Sequence, residues 1–258
     1  MKDLFGQVIY DELKDKRILE VRLKSGFPLL YYTDAGRVKS GLIVTDEMME
    51  EFLSRATEGS IYTVGDKMKE GYISYRGVRI GLAGEYVSDG YSPTVIKKIT
   101  SAVVRIPRQV IDCSLPLSSI YKNVLVAAPV FSGKTTFLRD LARRAANAGK
   151  RVVILDERKE ISCSGSLDVG CADVIEGFDK RIAYINAIRA LSPEIIVTDE
   201  LSDEEFAVIK KIIRSGVKVF ASFHVGSLDD IPEDLKVFDA YVFLSRDPIG
   251  KVLEIRYA

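Results

Sequence analysis

The chain has 258 residues, 47% of them hydrophobic, and it is long enough to bury either one large core or two smaller ones. Lysine plus arginine and aspartate plus glutamate number 37 each, and this balance argues against an obligate binder of nucleic acid or of an anionic membrane. Three cysteines with no CxxC pair and a single histidine exclude a histidine-rich metal cluster and favour a reduced, cytoplasmic setting.

The N-terminal segment MKDLFGQVIYDELKDKR is charged throughout and has no apolar stretch of the signal-peptide type. The longest apolar runs of the chain are far shorter than a membrane span. We therefore expect a soluble protein that reaches a membrane only through a partner.

The first part of the chain combines strand and helix signals. Residues 18–44 are typical of short strands broken by two turn-like stretches, Ser25-Gly26 and Asp34-Ala35-Gly36. A helix is predicted to follow, capped by Thr45 and ended by Gly59, with acidic residues in its first turn facing the positive helix end.

Further β-forming segments, GYISYRGVRIGLAGEYV and IKKITSAVVRIP, lie within residues 71–107. This part of the chain therefore predicts a small mixed α/β domain. In DCSLPLSS, residues 112–119, a proline and three serines interrupt both periodicities and indicate a linker. We place the domain boundary near Leu115, which divides the chain into residues 1–115 and 116–258.

Beyond this boundary strand and helix signals alternate, a pattern that predicts a mainly parallel sheet with helices on both faces. Ser202 and Glu205 form a predicted capping box for a helix that ends at Gly216. Apolar runs predict strands at Asn123–Ala127, Val152–Leu155, Ile195–Thr198, Val217–Ser222, Tyr241–Leu244 and Lys251–Ile255.

A phosphate-binding loop of the Walker A type is predicted between the strand NVLVA and the helix TTFLRDLARRAANAG. In such a loop, backbone amides and Lys134 bind the phosphates of ATP and the Thr135 hydroxyl binds Mg²⁺. A Gly-Lys-Thr triplet alone is weak evidence, and its placement between strand and helix carries the prediction. The predicted nucleotide-binding residues are Pro129, Val130, Phe131, Ser132, Gly133, Lys134, Thr135 and Thr136.

Two residues of the loop depart from the usual pattern. Ala128 stands where the first glycine is expected, and alanine is tolerated there if φ stays negative. Phe131 is bulky, and we expect its ring to point away from the nucleotide or to pack beside the base. The alternative to a nucleotide site is a plain strand–turn–helix with an exposed lysine.

Acidic residues follow two later strands. In EIIVTDEL, Asp199 is predicted to hold the water shell of Mg²⁺ and Glu200 to orient the attacking water. The strand in RVVILDERKEI lies between the loop and this acid pair, as in RecA-like ring ATPases, and Glu157 and Glu160 follow it as alternative bases. Parallel strands end at one edge of a sheet, so we expect these acids to face the loop. The alternative is that Glu157 and Glu160 are acids in solvated turns.

The single histidine, His224, lies in FASFHVGSL where a strand meets a loop at that same edge. This position makes it a candidate sensor of the γ-phosphate. A lone histidine is as often a core or surface residue without a catalytic role.

These motifs together resemble the stage III sporulation protein AA family. The resemblance covers most of the chain and includes VRLKSGFPLL, GVRIGLAGEYV, SGKTTFLRDLAR, VVILDERKEI, IRALSPEIIVTDEL and SFHVGSL. That family is in turn similar to the ring-forming ATPases of type II and type IV secretion and of pilus retraction. The resemblance implies a RecA-like P-loop ATPase domain preceded by a smaller mixed α/β domain. It also places a glycine where Phe131 stands.

The resemblance further implies a homo-oligomer, a hexameric ring motor at the mother-cell side of the engulfed forespore. Such a motor would use ATP and Mg²⁺ to power or assemble a channel, together with membrane-bound sporulation proteins at the cytoplasmic face. Ring ATPases commonly complete their site with an arginine. Arg189 is a candidate within the chain, and candidates from a neighbouring subunit are Arg76, Arg79, Arg105 and Arg108. Each of them is equally compatible with a surface arginine bonded to a carboxylate.

Two other functions stay open at this point. A nucleic-acid-stimulated ATPase is suggested by the basic stretches ARRAANAGKR and KKIIRSGVK, although both lie on predicted helices with interleaved apolar residues. A scaffold that binds nucleotide but hydrolyses little is suggested only by Ala128 and Phe131.

Overall fold

The computed structural model of the chain describes residues 1–59, 71–87, 95–118 and 121–258. The chain consists of two compact units, Met1–Arg108 and Gln109–Ala258. In the described part of the chain, no helix has the length and apolar character needed to cross a membrane.

The first unit contains a six-stranded antiparallel sheet with the strand order β3-β2-β1-β6-β5-β4. Its strands are β1 Ile18–Lys24, β2 Pro28–Thr33, β3 Gly36–Ile43, β4 Tyr72–Tyr75, β5 Val78–Val87 and β6 Val95–Arg105. Helices α1 (Lys2–Leu13) and α2 (Asp46–Ala56) pack on each other, with the rings of Phe5 and Phe52 stacked 5.7 Å apart. Buried side chains from both helices and from the sheet form one core.

The turns and the second helix of this unit follow the sequence pattern. The two predicted breaks separate β1, β2 and β3. The Thr45 hydroxyl accepts a hydrogen bond from the Met48 amide at 3.2 Å, which caps α2 as predicted. Helix α1 is not among the elements predicted from the sequence.

The second unit contains a seven-stranded sheet with the order β13-β12-β7-β11-β10-β8-β9. Its strands are β7 Val124–Ala128, β8 Val152–Asp156, β9 Asp173–Glu176, β10 Ile195–Thr198, β11 Lys218–His224, β12 Ala240–Arg246 and β13 Ile249–Tyr257. All neighbouring pairs are parallel except β12 with β13. Its helices are α3 Lys134–Asn147, α4 Lys180–Asn186 and α5 Phe206–Arg214. Buried cores on both faces match the near-continuous apolar runs of the central strands.

Strand order places β11 between the loop strand β7 and the acid-bearing strand β10. The strand that lies between the two motifs along the chain, β8, sits on the far side of β10. The carboxyl ends of β7, β11, β10 and β8 nevertheless share one edge, because these strands are parallel. The predicted capping box is present, since the Glu205 carboxylate accepts bonds from the Ser202 amide at 2.9 Å and its hydroxyl at 2.8 Å.

Asp140 anchors the start of the second unit. Its fully buried carboxylate accepts hydrogen bonds from the amides of Asp112 and Ser114, both at 2.9 Å, and from the Ser114 hydroxyl at 2.6 Å. Arg143 donates to it at 2.8 Å. The part of the predicted linker before Ser119 is therefore fixed to this unit, while Ser119 itself lies outside the described residues.

We expect Asp140→Ala to lower the free energy of unfolding of the second unit by about 3 kcal/mol, because it leaves the Ser114 amide and hydroxyl and the Asp112 amide without their acceptor. Urea unfolding at pH 7 measures this loss. The matched control is Asp229→Ala, which removes an exposed carboxylate bonded to Arg256 at 2.9 Å and should cost at most about 1 kcal/mol. Equal losses in both variants would contradict the anchoring role.

The same carboxylate predicts a pH dependence. Burial raises the pKa of Asp140, but the hydrogen bonds from Ser114, Arg143 and the Asp112 amide outweigh burial and lower that pKa below its ordinary value. A lowered folded-state pKa contributes stability that is present above the unfolded pKa of about 4 and is lost as the pH falls through the folded value. The stability difference between the wild type and Asp140→Ala should therefore shrink below about pH 4.

Candidate nucleotide site

The predicted phosphate-binding loop connects the end of β7 with the start of α3. Gly133 caps α3 in a left-handed conformation with φ 81°, and the cap makes no side-chain hydrogen bond. The first turn of α3 contains no acidic residue. The amides of this turn and the positive end of the helix dipole therefore favour the binding of an anion here.

Lys134 is buried beneath the loop and binds its backbone. Its ammonium donates to the carbonyl oxygens of Ala128 at 3.2 Å and Pro129 at 2.8 Å. It also lies 2.8 Å from His224 Nδ1, which must accept because an ammonium only donates. Burial lowers the pKa of Lys134, and the charges of Asp199 and Glu200 oppose this effect. The cation is thus held at the edge where the acids meet the loop.

Thr135 and Asp199, the predicted Mg²⁺ ligands, lie in direct contact. The Thr135 hydroxyl donates to Asp199 Oδ2 at 2.5 Å, and the Ser222 hydroxyl donates to Asp199 Oδ1. Within the described residues no group of three or more His, Cys, Asp or Glu side chains is arranged to hold a metal ion. One hydroxyl and one carboxylate still fit Mg²⁺, which commonly keeps several waters and takes few protein ligands.

Glu200 lies next to this pair, with its carboxylate shared between two partners. One oxygen is 3.1 Å from His224 Nε2, and the other accepts from Arg158. Its amide donates to the Ser222 hydroxyl at 2.9 Å, and its backbone is left-handed with φ 46°. Burial raises the pKa of Glu200, but the hydrogen bond from His224 and the charges of Arg158 and Lys134 lower it overall. Glu200 is therefore held ionised, as a water-orienting acid requires.

Arg158 is the site residue that sequence reasoning missed. It lies in the segment DERKEI among Asp156, Glu157 and Glu160. A cation among three acids was the signal that could have identified it. The buried Asp156 shapes this segment, because its carboxylate accepts from the amides of Glu160 and Ser162, both at 2.8 Å. The turn so formed brings Arg158 to Glu200.

Glu157 and Glu160 line one cavity with Asp199, Glu200 and Arg158. The structure therefore places both glutamates on the same edge as the acid pair. Glu157 is exposed, whereas Glu160 is half-buried.

Arg189 is not brought to this edge. It is exposed on a π-helical turn, Ala187–Leu191, which leads into the amino end of β10. The carbonyl of nearby Ser192 accepts from Arg151, which directly precedes β8. Since Asp199 and Glu200 follow the carboxyl end of β10, Arg189 lies toward the opposite edge of the sheet.

The loop interior contains a buried polar atom that fits a phosphate. Ser132 is completely buried, and its hydroxyl has no hydrogen-bond partner among the residues that the structure describes. An unpaired buried hydroxyl is costly, and an oxygen-rich ligand relieves that cost. Of the remaining loop residues, Val130 is exposed, while Pro129 and Thr136 are half-buried.

The two departures from the loop pattern have different consequences. Ala128 is the last residue of β7, buried and paired with His224 of β11, and its φ is not positive, so no glycine is needed. Phe131 has φ 64° and an exposed fraction of 57%. The difficulty at Phe131 is therefore its left-handed backbone, which favours glycine, rather than only the size of its ring.

This backbone predicts an inverted order of stability at position 131. The free energy of unfolding of Phe131→Gly should exceed that of Phe131→Ala by about 1 kcal/mol, because only glycine adopts φ 64° without strain. Glycine and alanine at the exposed helix residue Lys211 are the control pair, and there alanine should be the more stable by about 1 kcal/mol. Thermal or urea unfolding of the four variants measures the stability difference between glycine and alanine at each position. If alanine were more stable than glycine at both positions, the backbone at position 131 would not be strained.

The four candidate arginines of the first unit each contact a residue of that same unit. Arg76 pairs with Asp3 at 3.2 Å, Arg105 with Glu20 at 3.8 Å and Arg108 with Asp34 at 2.6 Å, while the Arg79 guanidinium lies 4.3 Å from the Tyr72 ring centroid. A role for any of them in a neighbouring subunit stays a prediction.

Several cations of the two basic stretches are paired with acids. The pairs are Arg143 with Asp140, Lys150 and Arg151 with Glu194, Lys210 with Asp234 and Lys218 with Asp239. Such pairing lowers the positive potential that phosphate backbones require, so these stretches do not favour a nucleic-acid surface.

Comparison with known sequences identifies relatives over most of the chain. The family model described as "Sporulation stage III, protein AA" matches residues 5–248. Stage III sporulation protein AA of Bacillus subtilis (strain 168) is 30% identical over 261 residues, which cover 89% of this chain and 83% of that protein. Protein SEEDLING PLASTID DEVELOPMENT 1 of Arabidopsis thaliana is 32% identical over 117 residues, 42% of this chain and 17% of that protein.

Solved structures with the same fold include an ATPase and a pilus retraction motor. The X-ray structure of the Legionella pneumophila ATPase DotB aligns over 91% of this chain and 74% of that chain, with TM-score 0.60 and 12% identity. The pilus retraction motor PilT with bound ADP aligns over 91% of this chain and 76% of that chain, with TM-score 0.62 and 13% identity. These likenesses concern the fold, and they confirm the predicted fold class of a RecA-like P-loop domain preceded by a smaller α/β domain.

Proposed function

The chain belongs to the sporulation stage III, protein AA family, and from this premise we propose that it hydrolyses ATP as a ring motor of the secretion-ATPase type. In this proposal its work is to power or assemble a channel between mother cell and forespore. The observation that carries the proposal is the meeting of Lys134, the Thr135–Asp199 pair and the Glu200–His224 pair at one edge of the sheet.

Binding of ATP would use the loop amides, the Ser132 hydroxyl and Lys134. The Lys134 ammonium would exchange the carbonyls of Ala128 and Pro129 for phosphate oxygens, which are stronger acceptors because they are charged. Thr135 and Asp199 would hold Mg²⁺, which neutralises charge on the phosphates when bound.

Hydrolysis needs a group that orients a water molecule in line with the terminal phosphate and takes its proton. Glu200 is our candidate, because it is ionised, adjoins Asp199 and is held by His224 and Arg158. Glu157 and Glu160 line the same cavity and remain the alternative bases. His224 contacts both Lys134 and Glu200, so it is suited to report whether a terminal phosphate is present.

The proposal includes a homo-oligomer, with a hexameric ring as the expected form. An arginine from a neighbouring subunit would supply the cation that ring ATPases commonly place on the transferred phosphoryl group. Membrane-bound sporulation channel proteins at the cytoplasmic face are the proposed partners, and they would hold the protein at the membrane peripherally.

Steady-state release of phosphate from Mg-ATP, measured over a wide range of protein concentrations, tests the proposal. We expect specific activity to rise with protein concentration, because a site completed by a second subunit forms only on assembly. Activity that is independent of concentration would contradict a shared site. Measurable ATP binding with no turnover at any concentration would favour the scaffold function instead.

A further inference from the structure

The β12–β13 turn, defined as residues 247–250 and so including the first two residues of β13, lies against the phosphate-binding loop. A Cβ atom built on Gly133 would lie 3.4 Å from Gly250 Cα and 3.5 Å from Ile249 Cγ2. These are van der Waals distances, so the turn and the loop adjoin each other directly. The contact lies entirely within the second unit.

Ile249 is presented on this turn rather than buried by it. Its exposed fraction, 69%, is the highest of the large hydrophobic side chains in the described part of the chain. The turn is braced by Ser245, whose hydroxyl accepts from the Asp247 amide at 2.9 Å and donates to the Asp247 carbonyl at 2.7 Å. Val130 and Phe131 of the adjoining loop are also more than half exposed. Two neighbouring segments thus present apolar side chains at the loop.

The strand order shows on which side of the loop this turn lies. The groups proposed to face the terminal phosphate are His224, at the end of β11, and Glu200, which follows β10, and both strands lie on one side of β7. The turn follows β12, which pairs with the other side of β7. A nucleotide that lies along the loop with its terminal phosphate near His224 would extend its ribose and base toward the turn.

We propose that the β12–β13 turn is the base-binding part of the nucleotide site, with Ile249 as its apolar contact surface. This inference rests on the proposed ATP binding and adds the part of the site that meets the base. An isoleucine side chain offers area to the face of a base but no donor or acceptor to its edge. Ile249 should therefore strengthen the binding of ATP and GTP by the same factor and should not distinguish them.

Calorimetric binding of three ligands in the presence of Mg²⁺ tests the inference: ATP, GTP and inorganic tripolyphosphate, which has the phosphates but no base. The variant is Ile249→Ser. The matched control is Leu253→Ser, which removes an apolar side chain of similar exposure, 56%, from the same strand away from the turn. Both changed residues are exposed, and equal melting temperatures confirm that both variants fold.

Ile249→Ser is expected to raise the Kd of ATP and of GTP by the same factor, about fivefold to tenfold, and to leave the Kd of tripolyphosphate unchanged. Leu253→Ser should leave all three unchanged. Unchanged ATP binding in Ile249→Ser, or an equal loss for tripolyphosphate, would overturn the base contact while leaving the ATP site intact. If the wild type bound neither ATP nor tripolyphosphate, the proposed function itself would fail, and this inference with it.

Discussion

Glu200→Gln is expected to lower the kcat of ATP hydrolysis by about a hundredfold or more while changing the Kd of ATP by no more than about threefold. The carboxamide keeps the volume of the carboxylate and one acceptor oxygen toward Arg158 or His224, so the surroundings of the site persist. It cannot take a proton from water, and that is the step the carboxylate is proposed to perform. The loss should therefore appear in turnover and not in binding.

Phosphate release and equilibrium ATP binding, measured on the same preparations, separate these two effects. The control is Glu233→Gln, which changes a carboxylate that is 85% exposed and pairs with Lys236 at 2.6 Å, and it should leave both quantities unchanged. A fall in ATP affinity as large as the fall in kcat would show that Glu200 acts in binding.

Glu157→Gln and Glu160→Gln, compared with Glu200→Gln, identify the base among the three glutamates that line the cavity. We expect each to retain most of the turnover, because Glu200 directly follows Asp199 of the proposed Mg²⁺ pair and is the residue proposed to take the proton from water. Loss of turnover in one of them, with activity kept in Glu200→Gln, would transfer the role of base to that residue.

Lys134→Ala should weaken ATP binding by about a hundredfold. The lysine is only 5% exposed, so phosphate oxygens that contact its ammonium would be largely removed from water. Hydrogen bonds between the two charged groups would therefore be strong. Removing it also leaves the carbonyls of Ala128 and Pro129 without this donor. Fluorescence titration with an ATP analogue measures the loss, and the melting temperature reports the cost to the fold.

The control for Lys134 is Lys150→Ala, three residues beyond the far end of helix α3. Lys150 is a partly exposed cation paired with Glu194 at 3.1 Å, so its removal changes the net charge equally without touching the loop. ATP affinity should remain within about twofold of the wild type. Equal weakening in both variants would point to general electrostatics rather than to a phosphate ligand.

Much of the second unit could be predicted because its signals are local. Apolar runs gave six of its strands, and the placement of Gly133, Lys134 and Thr135 between strand and helix indicated the loop. Strand β9 was missed because its four residues are exposed or half-buried and carry no continuous apolar run. Which strand neighbours which is set by non-local pairing, so the place of β11 between β7 and β10 was not visible in chain order.

The candidate site was predictable where residues follow strand ends and less so where side chains meet across segments. Asp199, Glu200 and His224 could be assigned to one edge because parallel strands end together. Arg158 reaches Glu200 only through a turn shaped by Asp156, and Arg189 lies toward the other edge because its helix runs back to the start of β10.

The most direct test of the ATP site is a structure of the protein with Mg²⁺ and a non-hydrolysable ATP analogue. The account predicts the terminal phosphates within hydrogen-bond distance of Lys134 Nζ and the loop amides, Mg²⁺ beside Thr135 and Asp199, and Glu200 facing the terminal phosphate. Phosphates bound elsewhere, or a metal held by Glu157 and Glu160 with Lys134 still on the carbonyls of Ala128 and Pro129, would contradict it.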